Sequence, residues 1–211
     1  MLVPELMLRS PEEGGKVLER FGFRADGGLW RLGSQALKLV GGEAEGRHGR
    51  IDHLALTVPD IDAAVAALAA SGIALDAQIT PGGPELIQEF WGDGLRFAYL
   101  SGPEGARIEL CQRVTGAPAE VGHDHVGIPC NDIAAMQDFF TAQGAHLTAA
   151  VDLSRPEGTI PVRFLSFQGG VIELFQPASA RRAARGLWSR LLVSGLHAPV
   201  QGPEDLILGP L

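Results

Sequence analysis

Two stretches of this chain repeat one another, and a repeat restricts the fold strongly because each copy must adopt the same supersecondary unit. Residues 51–65 read IDHLALTVPDIDAAV and residues 124–136 read DHVGIPCNDIAAM. Both carry Asp-His, a short apolar run, a Pro and an acidic residue that opens an Ala-containing segment. In the first copy that segment, PDIDAAVAALAASG, has acidic residues in its opening turn and a Gly where a helix stops. It is followed by IALDAQIT, by ELIQEFWGDG, whose type is ambiguous, and by LRFAYL and ARIELCQ joined through SGPEG as a hairpin. The second copy runs DHVGIPC, NDIAAMQDFFTAQG, AHLTAAVD, PVRFLSFQ and VIELFQ. Each copy reads β-α-β-β-β. The chain is therefore expected to be α+β, with modules at 49–115 and 122–178 and a short linker over 114–123.

Alternate residues of a strand face opposite sides of a sheet. In IDHLALTV, Leu54, Leu56 and Val58 suit the helix side, which leaves His53 on the other face. In ARIELCQ, Ile108 and Leu110 oppose Arg107, Glu109 and Cys111. Val126 and Ile128 oppose His125, and Ile172 and Leu174 oppose Glu173. Four ionisable groups then line the open faces of two sheets. Desolvating a carboxylate costs several kcal/mol unless a charge compensates. A divalent cation shared with the imidazoles would compensate both glutamates, and two His with two Glu suit Zn²⁺, Ni²⁺, Co²⁺, Mn²⁺ or Fe²⁺. The structural alternative is a pair of hydrogen-bonded histidines, with each Glu ion-paired to an arginine such as Arg107 or Arg163.

Composition narrows the partners. With 211 residues, 45% of them hydrophobic, and a mean hydropathy of +0.12, the chain can bury a substantial core. Net charge is −8 and the 17 basic residues are scattered apart from a cluster at 181–190, so no basic face for nucleic acid emerges. MLVPELMLRSPEE lacks a signal-peptide pattern and nothing approaches the roughly 18 apolar residues of a membrane span. A soluble, cytoplasmic protein acting on a small molecule is expected, with Cys111 and Cys130 as reduced, buried thiols.

The pieces IDHLALTVPDID with GPEGARIELCQ, and HDHVGIPCNDIA with GGVIELFQP, resemble the vicinal oxygen chelate superfamily, which includes glyoxalase I, epimerases, extradiol dioxygenases and resistance proteins. The resemblance covers roughly residues 50–178. It implies that the paired modules curve into a cup with helices outside, and that a metal is held by His53, Glu109, His125 and Glu173. His123 shares the parity of His125 but not the Asp-His frame. A His-Glu-His-Glu set implies the glyoxalase and epimerase branch, a lyase or isomerase that moves a proton next to a carbonyl through a metal-stabilised enediolate. Glu173 would be the base and Glu109 its counterpart. The alternatives are an iron dioxygenase using His53, His125 and Glu173, in which Glu109 is dispensable, and a metal-free binding protein. Arg96, Tyr99, Arg107, Arg163 and Gln168 are candidates for substrate contacts or for rim ion pairs.

Residues 1–48 read as a truncated third copy, βαββ. ELMLRSPEE lies over HLALTVPDI and ALKLV over RIELC, which sets Glu5 and Lys38 at ligand positions. This copy is not expected to bind metal, and its Glu5 and Lys38 are expected to pair with each other. The open sheet of a half-module needs cover. It can come from the intact modules, from the tail 179–211, read as a basic amphipathic helix with Leu187, Trp188, Leu191 and Leu192 on one side, or from a second subunit; a homodimer is expected. The sequence leaves both module pairings open, within one chain or across a dimer.

Overall fold

The computed structural model describes residues 1–117, 119–178 and 185–211. Three segments fold as β-α-β-β-β. The first contains β1 (Leu2–Leu8), α1 (Pro11–Arg20), β2 (Arg24–Asp26), β3 (Leu29–Leu32) and β4 (Gln35–Gly41). The second contains β5 (His53–Thr57), α2 (Ile61–Ala70), β6 (Glu85–Ile87), β7 (Leu95–Ser101) and β8 (Arg107–Arg113). The third contains β9 (Gly122–Pro129), α3 (Ile133–Ala142), β10 (His146–Arg155), β11 (Gly158–Phe167) and β12 (Gly170–Phe175). A fourth, incomplete copy has β13 (Trp188–Val193), β14 (Val200–Gln201) and β15 (Ile207–Pro210), with no α-helix among the described residues.

The helices start and stop by one chemistry. Ser10, Asp60 and Asp132 each accept a hydrogen bond from the backbone N–H three residues on, which satisfies a free donor of the first turn. Each helix ends at a glycine in the left-handed region, Gly22, Gly72 or Gly144, with φ of 94°, 84° and 92°.

An eight-stranded sheet has the order β10-β11-β12-β9-β5-β8-β7-β6, and a seven-stranded sheet the order β14-β15-β13-β1-β4-β3-β2. The second and third modules join through antiparallel β5 and β9, and the first and fourth through antiparallel β1 and β13. The inner pair is thus nested inside the outer pair, and all pairing occurs within one chain. The helix-side faces of both sheets feed one core, including Leu6, Leu8, Leu54, Leu56, Ile108, Val126, Ile172 and Trp188. Smaller apolar clusters fill the opposite faces, Phe90, Cys111 and Phe164 in the inner sheet and Val3, Ala36 and Leu192 in the outer. This is the α+β cup architecture, built twice. No helix among the described residues is long and apolar enough to cross a membrane.

Four expectations are corrected. IALDAQIT is not a strand: it contributes one isolated bridge, Leu75 to Leu100, because the Asp76 carboxylate turns the chain by accepting from Gln78 N (2.8 Å) and pairs with Arg47 and Arg107. The next strand is β6 instead. The N-terminal copy has three strands after its helix, not two. The tail is not a helix where it is described. Residues 179–184 lie outside the described residues, and Trp188–Val193 is strand β13, whose apolar residues are buried on both faces, Trp188, Leu191 and Val193 on one and Leu192 on the other, so no strand alternation is left to read. Glu5 does not pair with Lys38. It binds Arg190 through two bonds of 2.8 and 3.0 Å and accepts from the Ser189 hydroxyl at 2.8 Å, although Lys38 lies beside it in register.

Register also shifts the overlay of the first module by two residues. Glu5 lies opposite Lys38 as Ala55 lies opposite Glu109, so Val3 occupies the place of His53. Likewise Arg190 faces Glu5 as His125 faces Ala55, and Gly209 faces Leu192 as Glu173 faces Gly127. The outer cup thus presents Val3, Lys38, Arg190 and Gly209 where the inner cup presents two His and two Glu. Two cations, an aliphatic group and a glycine cannot replace metal donors.

Candidate metal centre

Strand pairing brings the inner cup's four residues together. His53 and His125 lie on the antiparallel pair β5 and β9, each across from a small residue of the partner strand, Gly127 and Ala55. Glu109 and Glu173 reach the same point from β8 and β12, the parallel neighbours of those strands. A Cβ on Gly127 would run into the His53 ring, so the ring can lie over β9 only because that position has no side chain.

His53 Nε2 is 3.1 Å from His125 Nε2, 3.2 Å from Glu109 Oε2 and 3.6 Å from Glu173 Oε2. His125 Nε2 is 3.2 and 3.4 Å from the same two oxygens. Bonds of about 2.1 Å to a central ion put neighbouring donors roughly 3.0–3.4 Å apart. The spacing is that of a coordination shell. His53, Glu109 and His125 form the tightest group, all within 4.8 Å, and Glu173 joins at slightly longer range.

The tautomers point the same way. His53 Nδ1 lies 3.2 Å from Asp52 Oδ2, and His125 Nδ1 lies 2.8 Å from Asp124 Oδ1. A ring that donates Nδ1–H to a carboxylate turns the Nε2 lone pair inward, the arrangement found behind metal-bound histidines. Two lone pairs and two carboxylates then converge with no donor between them. Glu109 Oε2 is buried and has no hydrogen-bond partner, although it lies 3.2 Å from both imidazoles. An orphaned buried carboxylate oxygen costs several kcal/mol, and a divalent ion would remove that cost. The donor set fits the group.

Electrostatics of the protein alone tell how the cluster balances without an ion. Burial pushes His53 down, but the carboxylates of Asp52, Glu109 and Glu173 beside it outweigh it and raise the pKa to about 10. His125 is likewise held well above the usual range against burial, by Glu173, Asp124 and Glu109. Burial raises Glu173, yet the imidazoles pull it down to about 2, and Glu109 is lowered by the same rings against its burial. Without an ion, positive charge on the imidazoles is what offsets the two carboxylates.

Around this floor opens a cavity of about 820 Å³ lined by His53, Glu109 and Glu173, by apolar walls that include Ile79, Phe90, Phe97, Leu153, Ile160 and Phe175, and by Tyr99. Burial and the surrounding carboxylates push the Tyr99 phenol well above its ordinary value, so it keeps its proton, 3.4 Å from His53 Nδ1. Cys111, Asp124 and His125 form a second tight group, but Asp124 is already bound to His125 and burial holds the Cys111 thiol protonated.

Of the other candidates, only Tyr99 lines the cavity. Arg107 is buried between Asp52, Asp76 and Gln78, Arg96 makes a bidentate pair with Asp62, and Arg163 meets Asp152. Gln168 accepts from the N-terminal amine. His123 is structural: Gln35 lies 2.6 Å from Nδ1 and Val171 N–H donates to Nε2, while burial first and the neighbouring His125 second lower its pKa to about 4. Sequence reasoning missed Asp52, Asp124 and Gly127. The Asp-His repeat carried the signal for the first two.

No family model matches the sequence, and no curated protein does. Solved structures do match. Glyoxalase I from Zea mays is 14% identical, with a TM-score of 0.68, over 100% of this chain and 92% of that one. A candidate dioxygenase from Bacillus subtilis is 12% identical, TM-score 0.62, over 97% and 82%. A mutant of 4-hydroxymandelate synthase from Streptomyces coelicolor is 14% identical, TM-score 0.51, over 84% and 70%. At such identities the likeness is one of fold. With its paired β-α-β-β-β modules and cupped sheets, the chain has the fold of the vicinal oxygen chelate superfamily.

Proposed function

We propose that the protein is a metal-dependent enzyme of glyoxalase or epimerase type, which binds a small substrate through two vicinal oxygens and moves a proton at the carbon beside a carbonyl. The observation that carries this reading is Glu109 Oε2, buried and without a hydrogen bond between two imidazoles whose outer nitrogens are already held by aspartates. His53, Glu109, His125 and Glu173 would hold the ion, which supplies Lewis acidity toward the substrate oxygens when bound.

The chain's own groups do the rest. Glu109 and Glu173 approach from the two ends of the β8-β5-β9-β12 array, so a substrate seated over the floor has a carboxylate on either side. Glu173 is suited to take the proton from carbon and Glu109 to return it. Tyr99, still protonated, is placed to donate to a substrate oxygen. Apolar walls exclude water and strengthen each of these interactions.

An iron dioxygenase is the second reading, favoured by the aromatic walls of the cavity, which suit a catechol ring. The position of Glu109 within the tightest three-donor group weighs against it, since that reading makes Glu109 dispensable. Elemental mass spectrometry on protein purified without an affinity tag separates the two. About one equivalent of Zn, Ni, Co or Mn, lost in both His53→Ala and Glu109→Ala, is expected. Iron retained by Glu109→Ala would favour the dioxygenase, and no metal after reconstitution would leave a binding protein.

A further inference from the structure

The charge of the cavity selects the substrate's body. Beyond His53, Glu109, Glu173 and Tyr99, the ionisable side chains lining it are Glu85, Glu89 and Arg155. Glu85 follows from β6, whose register sets it opposite Phe97 on the cavity face. Arg155 ends β10 of the other module and reaches across to Glu89 at 2.7 Å. Among the described residues, Arg155 is the one cation in the lining and is already matched, and Glu85 makes no ion pair. Arg113 is not part of the lining, and its guanidinium stacks 3.8 Å over the Trp91 ring. Apart from the uncharged Gln88 and the Tyr99 phenol, the remaining wall is aliphatic and aromatic.

Resting on the metal reading above, we infer that the site takes compact substrates whose chelating oxygens are carried on an uncharged or cationic apolar body, with Glu85 as a determinant that rejects anions. A carboxylate or phosphate on that body would be desolvated between Phe97, Leu153 and Phe175 with no unpaired cation to meet it and with Glu85 opposing it. Phosphate-bearing thioesters and the dicarboxylate body of a glutathione conjugate are disfavoured for the same reason. A cavity of about 820 Å³ accommodates a one- or two-ring molecule.

Three catechols share one chelating end and differ in body charge: 4-methylcatechol, dopamine and 3,4-dihydroxybenzoate. Their binding to Zn²⁺-loaded and metal-free protein is read by calorimetry. The neutral and cationic probes are expected to bind about tenfold more tightly than the anionic one. Glu85→Lys is expected to abolish or invert that order, and Glu85→Gln to reduce it. Equal or tighter binding of 3,4-dihydroxybenzoate, unmoved by Glu85→Lys, would overturn the inference while metal-dependent binding of all three upheld the metal site. A charge order that persists unchanged in metal-free protein would uphold the inference and sink the metal reading. Absence of binding by every probe would sink both.

Discussion

Asp52 and Asp124 stand one residue before the two cup histidines and hold their outer nitrogens, but their surroundings differ. Asp124 meets His125 at 2.8 Å, whereas Asp52 meets His53 at 3.2 Å and also accepts two bonds from Arg107. Asp124→Asn is expected to weaken metal affinity by about 10–100-fold with little loss of stability, measured by competition with a chelator. Asp52→Asn removes a partner of a buried guanidinium as well, and is expected to cost about 3 kcal/mol in chemical denaturation. Protonation supplies a second check. In metal-free protein the neighbouring carboxylates hold His53 at about 10 and His125 well above its usual range, so a proton competes with a metal ion at this pair of Nε2 atoms. Binding of one divalent ion should then release protons, and affinity should rise as pH rises toward 10. Release of no protons in a weakly buffered titration would contradict the ligand assignment. The four donors were legible in the sequence because parity and repetition fix which face each occupies. The aspartates' role was not, since a carboxylate beside a histidine reads equally as a turn or a surface residue.

At the scale of elements, the cup works because strand neighbours are small where rings must pass. Gly127→Ala inserts a Cβ into the His53 ring position while leaving an extended strand that alanine adopts readily. The variant is expected to fold cooperatively and to bind no metal at micromolar excess; full metal content would mean that the ring does not lie where described. Elements with alternating patterns or capped ends, such as β5, α2 and α3, were readable from one sequence. Residues 73–80 misled because IALDAQIT has a strand's composition while its Asp76 is committed to two arginines. The tail misled because β13 is covered on both faces. A signal was nonetheless present: GPED at 202–205 repeats GPEG at 102–105, and Glu204 and Glu104 share left-handed backbone at φ of 55° and 49°. Each glutamate also accepts from the backbone just before a helix, Asn131 N at 2.7 Å and Ser10 N at 3.1 Å. The repeated turn marked a fourth module.

Over the whole molecule, the outer pair has lost the donors and kept the fold, and it serves the inner pair as a platform. Trp188 of β13 is almost fully buried and its Nε1–H donates to the carbonyl of Arg107 at 3.0 Å, directly behind the arginine that holds Asp52. Trp188→Ala is expected to destabilise the protein by about 3–5 kcal/mol in denaturant titration and to loosen the metal site with it. Because β5 and β9 belong to one chain, metal stoichiometry should stay at one per chain across protein concentrations, whatever the assembly. The nested order of pairing has a further meaning in time. Leu2 pairs with Val193 and Glu5 with Arg190, so β1 can join β4 of its own module early, but its other edge stays open until β13 has been synthesised. The inner modules can close on each other well before that, which makes the β13-facing edge of β1 the part of the sheet that waits longest for its partner and the one most in need of protection during biogenesis.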